Sequence, residues 1–242
     1  ENFSFSKKGV SDIRKKVFLI WWNMFSFYKL YANKSSVVDI NKTPKSDDVM
    51  DKWILSRLNS LIKDTTERMD NYNLVKASRE LMSFVDELST WYLRRSRDRL
   101  RDSENPSVNV FGFVLAKLAQ LFAPLTPFFS EVMWHNLVSE KESVHHSDWP
   151  IADTKAIDKS LEEQMVAIRK VVEKTHALRS EAKIKVRLPL AKVTCFVTSV
   201  EPTEAVLQVL ADEVNVKKVE WKRTTETMRV ILDTDLNDEL KA

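Results

Sequence analysis

Glycine is nearly missing from this sequence: there are two in 242 residues, Gly9 and Gly112. A glycine-rich phosphate loop or a dinucleotide-binding turn needs several, since the backbone must close tightly on the phosphates, so both are excluded. Two-residue hairpins that require positive φ should be few as well. The scarcity points to a mainly α fold. Cysteine occurs once, at Cys195, which rules out an internal disulfide and a multi-cysteine zinc site. It stands in the alternating run Val193-Thr-Cys-Phe-Val197 and reads as a buried structural thiol, consistent with a reducing, cytoplasmic setting. No apolar run approaches the ~20 residues of a membrane span. The run from Val17 to Trp22 is short and flanked by Lys15, Lys16 and Lys29, and no signal-peptide pattern is seen. Gly-x-Ser-x-Gly is absent, and no carboxylates are spaced as a recognisable acid–base pair. Of the four histidines, His145 and His146 are adjacent in a loop, a poor geometry for a lone metal site. The expectation is a chain with no catalytic residue, no metal and no cofactor of its own.

What the sequence does have is arginine, concentrated in one place. Net charge is only +3, yet Arg94, Arg95, Arg97, Arg99 and Arg101 face a single acid, Asp98, over eight positions. They end a helix whose apolar stripe, at about 100° per residue, is Leu74, Ala77, Leu81, Val85, Leu88 and Tyr92. The same spacing carries Arg95 and Arg99 onto the line of that stripe and leaves Arg94, Arg97 and Arg101 roughly opposite. Inward arginines either pair with acidic neighbours inside a bundle or line a groove for phosphates and unstacked bases, and spacing alone leaves both open. Trp91 and Tyr92 stand just before them, as core or as stacking platforms. A second basic run is Lys183, Lys185 and Arg187, which either touches nucleic acid or lines a junction.

Periodicity and caps predict the rest. Residues 1–10 read as a connector. Ser11 is the expected N-cap of a first helix running to about Asn33 and carrying Phe18, Trp21, Trp22, Phe25, Phe27, Tyr28 and Tyr31 around most of its surface. Ser46 should cap the second, with Ile54, Leu58, Leu61 and Thr65 inside. The third spans about Asn73 to Asp102, and the fourth Asn109 to Ala123. The fifth starts at Thr126-Pro127 and ends near Leu137. Residues 11–150 are thus expected to form a helical bundle. Residues 151–242 should form a long helix, from Lys155 to Ala182, and a small α+β unit with strands at Val193–Thr198, Lys217–Lys222 and Met228–Asp233.

Several segments together resemble one family. Trp22-Asn23, Ser26-Phe27, Leu30-Tyr-Ala32 and Asp51-Lys-Trp-Ile-Leu55 resemble the opening of the anticodon-binding domain of isoleucyl-tRNA synthetases, which are class I aminoacyl-tRNA synthetases. Trp91-Tyr-Leu-Arg-Arg-Ser-Arg97 is similar to that family's signature helix. Ala123-Pro-Leu-Thr-Pro-Phe-Phe129 with Glu131, Ser143-Val-His145, Asp148-Trp-Pro150, Lys185-Val-Arg-Leu-Pro-Leu190 and Asp212-Glu-Val-Asn-Val-Lys217 follow in the family's order. Valyl-tRNA synthetase is the near alternative, but its first helix typically carries arginine where Ser26 stands. A protein-interaction scaffold with a basic helix is a third reading that composition allows.

The resemblance implies a helical anticodon-binding region with isoleucine tRNA as partner, joined to catalytic and editing domains of the same chain. The class I signatures His-x-Gly-His and Lys-Met-Ser-Lys-Ser do not occur, so ATP and magnesium would be bound by that catalytic domain, and this chain alone should be inactive. A monomer is expected, with no membrane contact. Arg94, Arg97 and Arg101 would hold phosphates, and Trp91 or Tyr92 would stack a base. Arg95 and Arg99 would be structural or reach base edges. Lys183, Lys185 and Arg187 would add a second contact.

Overall fold

A computed structural model describes residues 6–32, 37–139, 141–199 and 201–233. The chain divides into two compact units, Glu1–Ile157 and Asp158–Ala242.

The first unit is a bundle of helices. Ser6 caps it, its Oγ accepting from the Gly9 N–H at 3.0 Å, so helix α1, Lys7–Ile13, starts ahead of the expected cap Ser11. The described part of the expected connector is therefore helical, while residues 1–5 lie outside the described set, as does Asn33. A π-helical turn, Arg14–Phe18, leads into α2, Leu19–Tyr31, which buries Trp21, Met24, Phe25 and Tyr28 and leaves Leu19, Trp22 and Leu30 exposed. Helix α3, Val49–Asp70, is capped by Asp48 rather than Ser46, its Oδ1 accepting from the amides of Met50 and Asp51. Such a cap contributes ~1 kcal/mol. Ser46 is diverted because its hydroxyl donates to Asp51 Oδ2 at 2.6 Å.

Helix α4, Leu74–Glu87, follows a reversal at Tyr72, whose φ of 54° is left-handed. The expected single helix to Asp102 is not uniform. It passes through a π-helical stretch, Leu88–Leu93, a short α5, Arg94–Ser96, and a 3-10 turn, Arg99–Arg101. Helix α6, Pro106–Phe122, begins earlier than expected because Asn105 caps it and Pro106 sits at its first position. It is apolar almost all round and buried almost throughout, which marks the centre of the bundle. Gly112 matters there: a Cβ would lie 2.6 Å from the Tyr28 hydroxyl, so its absence lets α2 approach α6. Helix α7, Pro127–Leu137, packs on α6.

The segment from 143 to 157 closes over the bundle rather than leaving it at Pro150. Glu131 accepts from Ser143 Oγ and the Val144 N–H, and Trp149 Nε1 donates to Thr66. The Asp153 N–H donates to Asn59 Oδ1 at 2.8 Å. These bonds hold the connection against α7 and α3, and the division falls after Ile157 instead of after Pro150.

The second unit starts with α8, Lys159–Glu181, whose N-cap Asp158 accepts from the Leu161 N–H. Strand β1, Leu190–Val197, helix α9, Glu204–Val214, and strands β2, Val216–Arg223, and β3, Arg229–Leu232, complete it. The sheet order is β2-β1-β3, with β1 parallel to β2 and antiparallel to β3. Helix α8 packs on α9 and β3, and α9 on β2. Val193, Cys195 and Val197 point to the covered face, and the Cys195 thiol, fully buried, is pushed up to about 12 by desolvation.

Candidate functional site

The arginine-rich stretch owes its position to a buried carboxylate. Asp51 has no exposed surface and is held by three hydroxyls: Tyr92 donates to Oδ1 at 2.7 Å, and Ser107 and Ser46 donate to Oδ2 at 2.7 and 2.6 Å. Arg99 adds a cation at 3.6 Å, pairs with Asp48 and donates to Ser96 Oγ. A buried carboxylate is tolerated because each oxygen is hydrogen-bonded and a counter-charge stands beside it. Burial lowers Arg99 from its ordinary pKa. The Tyr92 phenol is raised well above its own, first by desolvation, then by the Asp51 charge and the bond to it.

Tyr92 is therefore a structural anchor, wholly enclosed beside Phe111, and Trp91 is buried too. Neither is presented to a ligand. The physical reason is the π-helical stretch: its wider turn makes Leu88, Tyr92, Ser96 and Leu100 the inner line, instead of the Tyr92–Arg95–Arg99 line that 100° spacing gives. Of the two arginines expected to face inward, Arg99 pairs with acids of the bundle and Arg95 is half-buried.

Arg94, Arg97 and Arg101 are exposed. Arg94 Nε donates to the Thr90 carbonyl at 2.9 Å, and Arg101 pairs with Asp98 at 2.9 Å. The Arg97 guanidinium lies over the Phe27 ring, 5.7 Å from its centroid, and Phe27 in turn stacks near Tyr31, at 4.8 Å. The aromatic partner of the arginines thus comes from α2. Phe27 and Tyr31, four apart on one helix face and both half-buried, belong to the set of aromatics that the sequence spreads around this helix. Their signal was that spacing, visible but indistinguishable from packing.

The second basic run follows α8. Lys183 adopts a left-handed φ of 56°, and the Ile184 N–H returns to the Arg179 carbonyl at 2.8 Å, which ends the helix and starts an exposed loop carrying Lys183, Lys185 and Arg187. Arg179 itself is buried. It donates to the carbonyls of Lys185, Leu188, Val214 and Asn215 at 2.7–3.3 Å, so a buried guanidinium shapes this loop and ties it to the end of α9. Nothing in the local sequence distinguished Arg179 from the solvated residues beside it. Among the described residues, no group of three His, Cys, Asp or Glu side chains is arranged to hold a metal, and no helix is long and apolar enough to cross a membrane.

The sequence profile of the anticodon-binding domain of tRNA ligase matches residues 51–194, from the buried Asp51 through the arginine stretch to the first strand of the sheet. The chain belongs to this anticodon-binding family. It is 37% identical over 227 residues to the isoleucine–tRNA ligase of Dehalococcoides mccartyi, covering 88% of this chain and 22% of that protein. With the isoleucine–tRNA ligase of Clostridium novyi it shares 38% over 228 residues, 90% of this chain and 22% of the relative. With that of Streptomyces avermitilis it shares 36% over 215 residues, 86% and 20% respectively. The chain thus spans about a fifth of the length of these relatives. For an anticodon-binding domain the exposed arginine turn is the natural place to look for RNA contact, since the buried Asp51 cluster immobilises its inner side.

Proposed function

We propose that this chain is the anticodon-binding portion of an isoleucine–tRNA ligase and that its arginine turn grips the anticodon stem-loop of isoleucine tRNA. The observation that carries the reading is the exposure of Arg94, Arg97 and Arg101 on a helix end whose other side is fixed by Asp51, Tyr92 and Arg99. Guanidinium groups on a rigid element meet phosphates without a large ordering cost. Anticodon loops present unstacked bases, and the Phe27–Arg97 stack, with Tyr31 beside it, offers a flat surface on which one can lie. Arg95 borders this turn, and Lys183, Lys185 and Arg187 form a second contact from the other unit. Trp91, Tyr92 and Arg99 act through position alone.

The chemistry of aminoacylation, with ATP and magnesium, belongs on this reading to the catalytic part of the parent enzyme in the cytoplasm. The present chain, a monomer, is inactive by itself. The exposed Leu19, Trp22 and Leu30 of α2 are then a surface for packing against that part.

The test is a titration of the chain with isoleucine tRNA, with its anticodon-swapped form and with valine tRNA. Binding that is lost on the swap supports the reading. Equal affinity for all three would remove it.

A further inference from the structure

We infer that the open face of the three-stranded sheet in the second unit is a separate RNA-contact surface, on which a base stacks on the Phe196–Arg229 pair while phosphates lie on lysines of β1 and β2. Side chains alternate along a strand, so Lys192, Thr194 and Phe196 share one face of β1, opposite that of Cys195. The register sets Lys218, Glu220 and Lys222 of β2 and Arg229 and Ile231 of β3 beside them. Lys218, Lys222, Arg229 and Ile231 are exposed, and Lys192, Phe196 and Glu220 are half-exposed.

Because β1 is the central strand, the Phe196 ring receives a cation from each neighbour. The Arg229 guanidinium carbon is 4.7 Å from the ring centroid and Lys222 Nζ is 5.7 Å from it. Two same-face positions along the strand, Lys192 stands directly opposite Lys218, and both reach Glu220 Oε1, at 3.1 and 3.4 Å. Lys192, Lys218, Lys222 and Arg229 thus outnumber the two carboxylates of this face, Glu220 and, opposite Lys192 at the end of β3, Asp233. The Lys192–Lys218 pair sets like charges directly opposite each other, which weakens a sheet. This face is complementary to a polyanion, whose phosphates would relieve the repulsion.

The aromatic ring decides which polyanion. An acidic peptide would use the lysines but has no use for a phenyl ring with a guanidinium laid on it. A nucleobase has a π-face that stacks on such a pair with little regard to sequence. The inference rests on the reading that this chain binds tRNA, but it concerns a surface distinct from the arginine turn and the loop of Lys183, Lys185 and Arg187.

The experiment uses the whole chain and a short single-stranded RNA carrying 4-thiouridine. Irradiation followed by peptide mapping should place crosslinks on β1 and β3 around Phe196 and Arg229. Phe196→Leu, which keeps apolar bulk, and Arg229→Gln should each weaken binding of the oligonucleotide by about tenfold. Phe196→Trp should retain it, and thermal unfolding of each variant should match the parent. Unchanged affinity in both weakening variants, or equal displacement of the RNA by polyglutamate, overturns the inference. Replacing Arg94, Arg97 and Arg101 together with glutamine separates it from the proposed function. Loss of tRNA binding with the sheet crosslinks intact is expected. Intact tRNA binding with crosslinks at the sheet would sink the arginine reading and leave this one standing.

Discussion

Asp51 is a carboxylate with no exposed surface that nonetheless organises much of its surroundings, because three hydroxyl donors and one guanidinium from three stretches of chain converge on it. Removing one donor leaves a buried oxygen unsatisfied while the ring still fills its space. Tyr92→Phe should therefore cost roughly 1–3 kcal/mol in urea denaturation, with little change in the surface that RNA would meet. The phenol also sets an alkaline limit. Its folded pKa is raised, so its contribution is complete below the unfolded value of ~10 and is lost as pH rises through the folded one. Stability measured across that window should fall more steeply in the parent than in Tyr92→Phe. Gly112 makes the opposite kind of prediction. A methyl group there meets the Tyr28 ring within 3 Å, so Gly112→Ala should destabilise by ~1–3 kcal/mol despite its better helix propensity, and trimming Tyr28 to leucine in the same chain should recover part of the loss. Little of this is legible in sequence. Spacing brought Tyr92 inside, but nothing near it points to an acid 41 positions earlier.

At the scale of elements, the π-helical stretch decides which side chains face the core. Deleting Thr90, an exposed residue within it, should let the stretch close to α-helical spacing while the residues after it keep their faces, because the lost residue and the tighter turn offset each other. Ser96 and Leu100 would stay in the core and Arg99 would keep its acids. The expected outcome is a modest change in the unfolding midpoint, whereas an alanine inserted after Thr90, which turns the following residues by ~100°, should lower it sharply. The helices themselves were readable from apolar period and caps: α7 begins at Pro127 and ends at Leu137 as the Thr126-Pro127 signal required. Errors cluster where two residues compete for one cap. Ser46 and Asp48 are both good caps, and only the tertiary bond from Ser46 to Asp51 settles the choice. The turn after α3 shows the reverse, a poor residue in a demanding place. Tyr72 is 90% exposed with a left-handed φ, so Tyr72→Gly should raise stability by up to ~1 kcal/mol, read by thermal unfolding.

For the molecule as a whole, charge matters by where it is gathered more than by its sum. A net charge of +3 says little about a partner, while three exposed arginines on one turn predict a definite salt response. Each phosphate neutralised contributes ~0.7–0.9 to the slope of log affinity against log salt. Replacing Arg94, Arg97 and Arg101 with glutamine should flatten that slope by about two to three, and Arg97→Gln alone by about one, across all tRNAs alike. The fold class and the order of helices before strands were open to sequence reasoning because they follow from period and glycine content. The place of the division was not, since it depends on the bond from the Asp153 amide to Asn59, which joins positions far apart in the chain.

The lone thiol makes the two units separately observable. Cys195 lies under the sheet with its pKa near 12, so an aromatic disulfide reagent finds it only when that unit opens. Six of the seven tryptophans lie before residue 158 and report the bundle by their fluorescence. The chain thus carries a chemical clock in one half and an optical one in the other, and running both in the same denaturant series would reveal whether the halves melt in step.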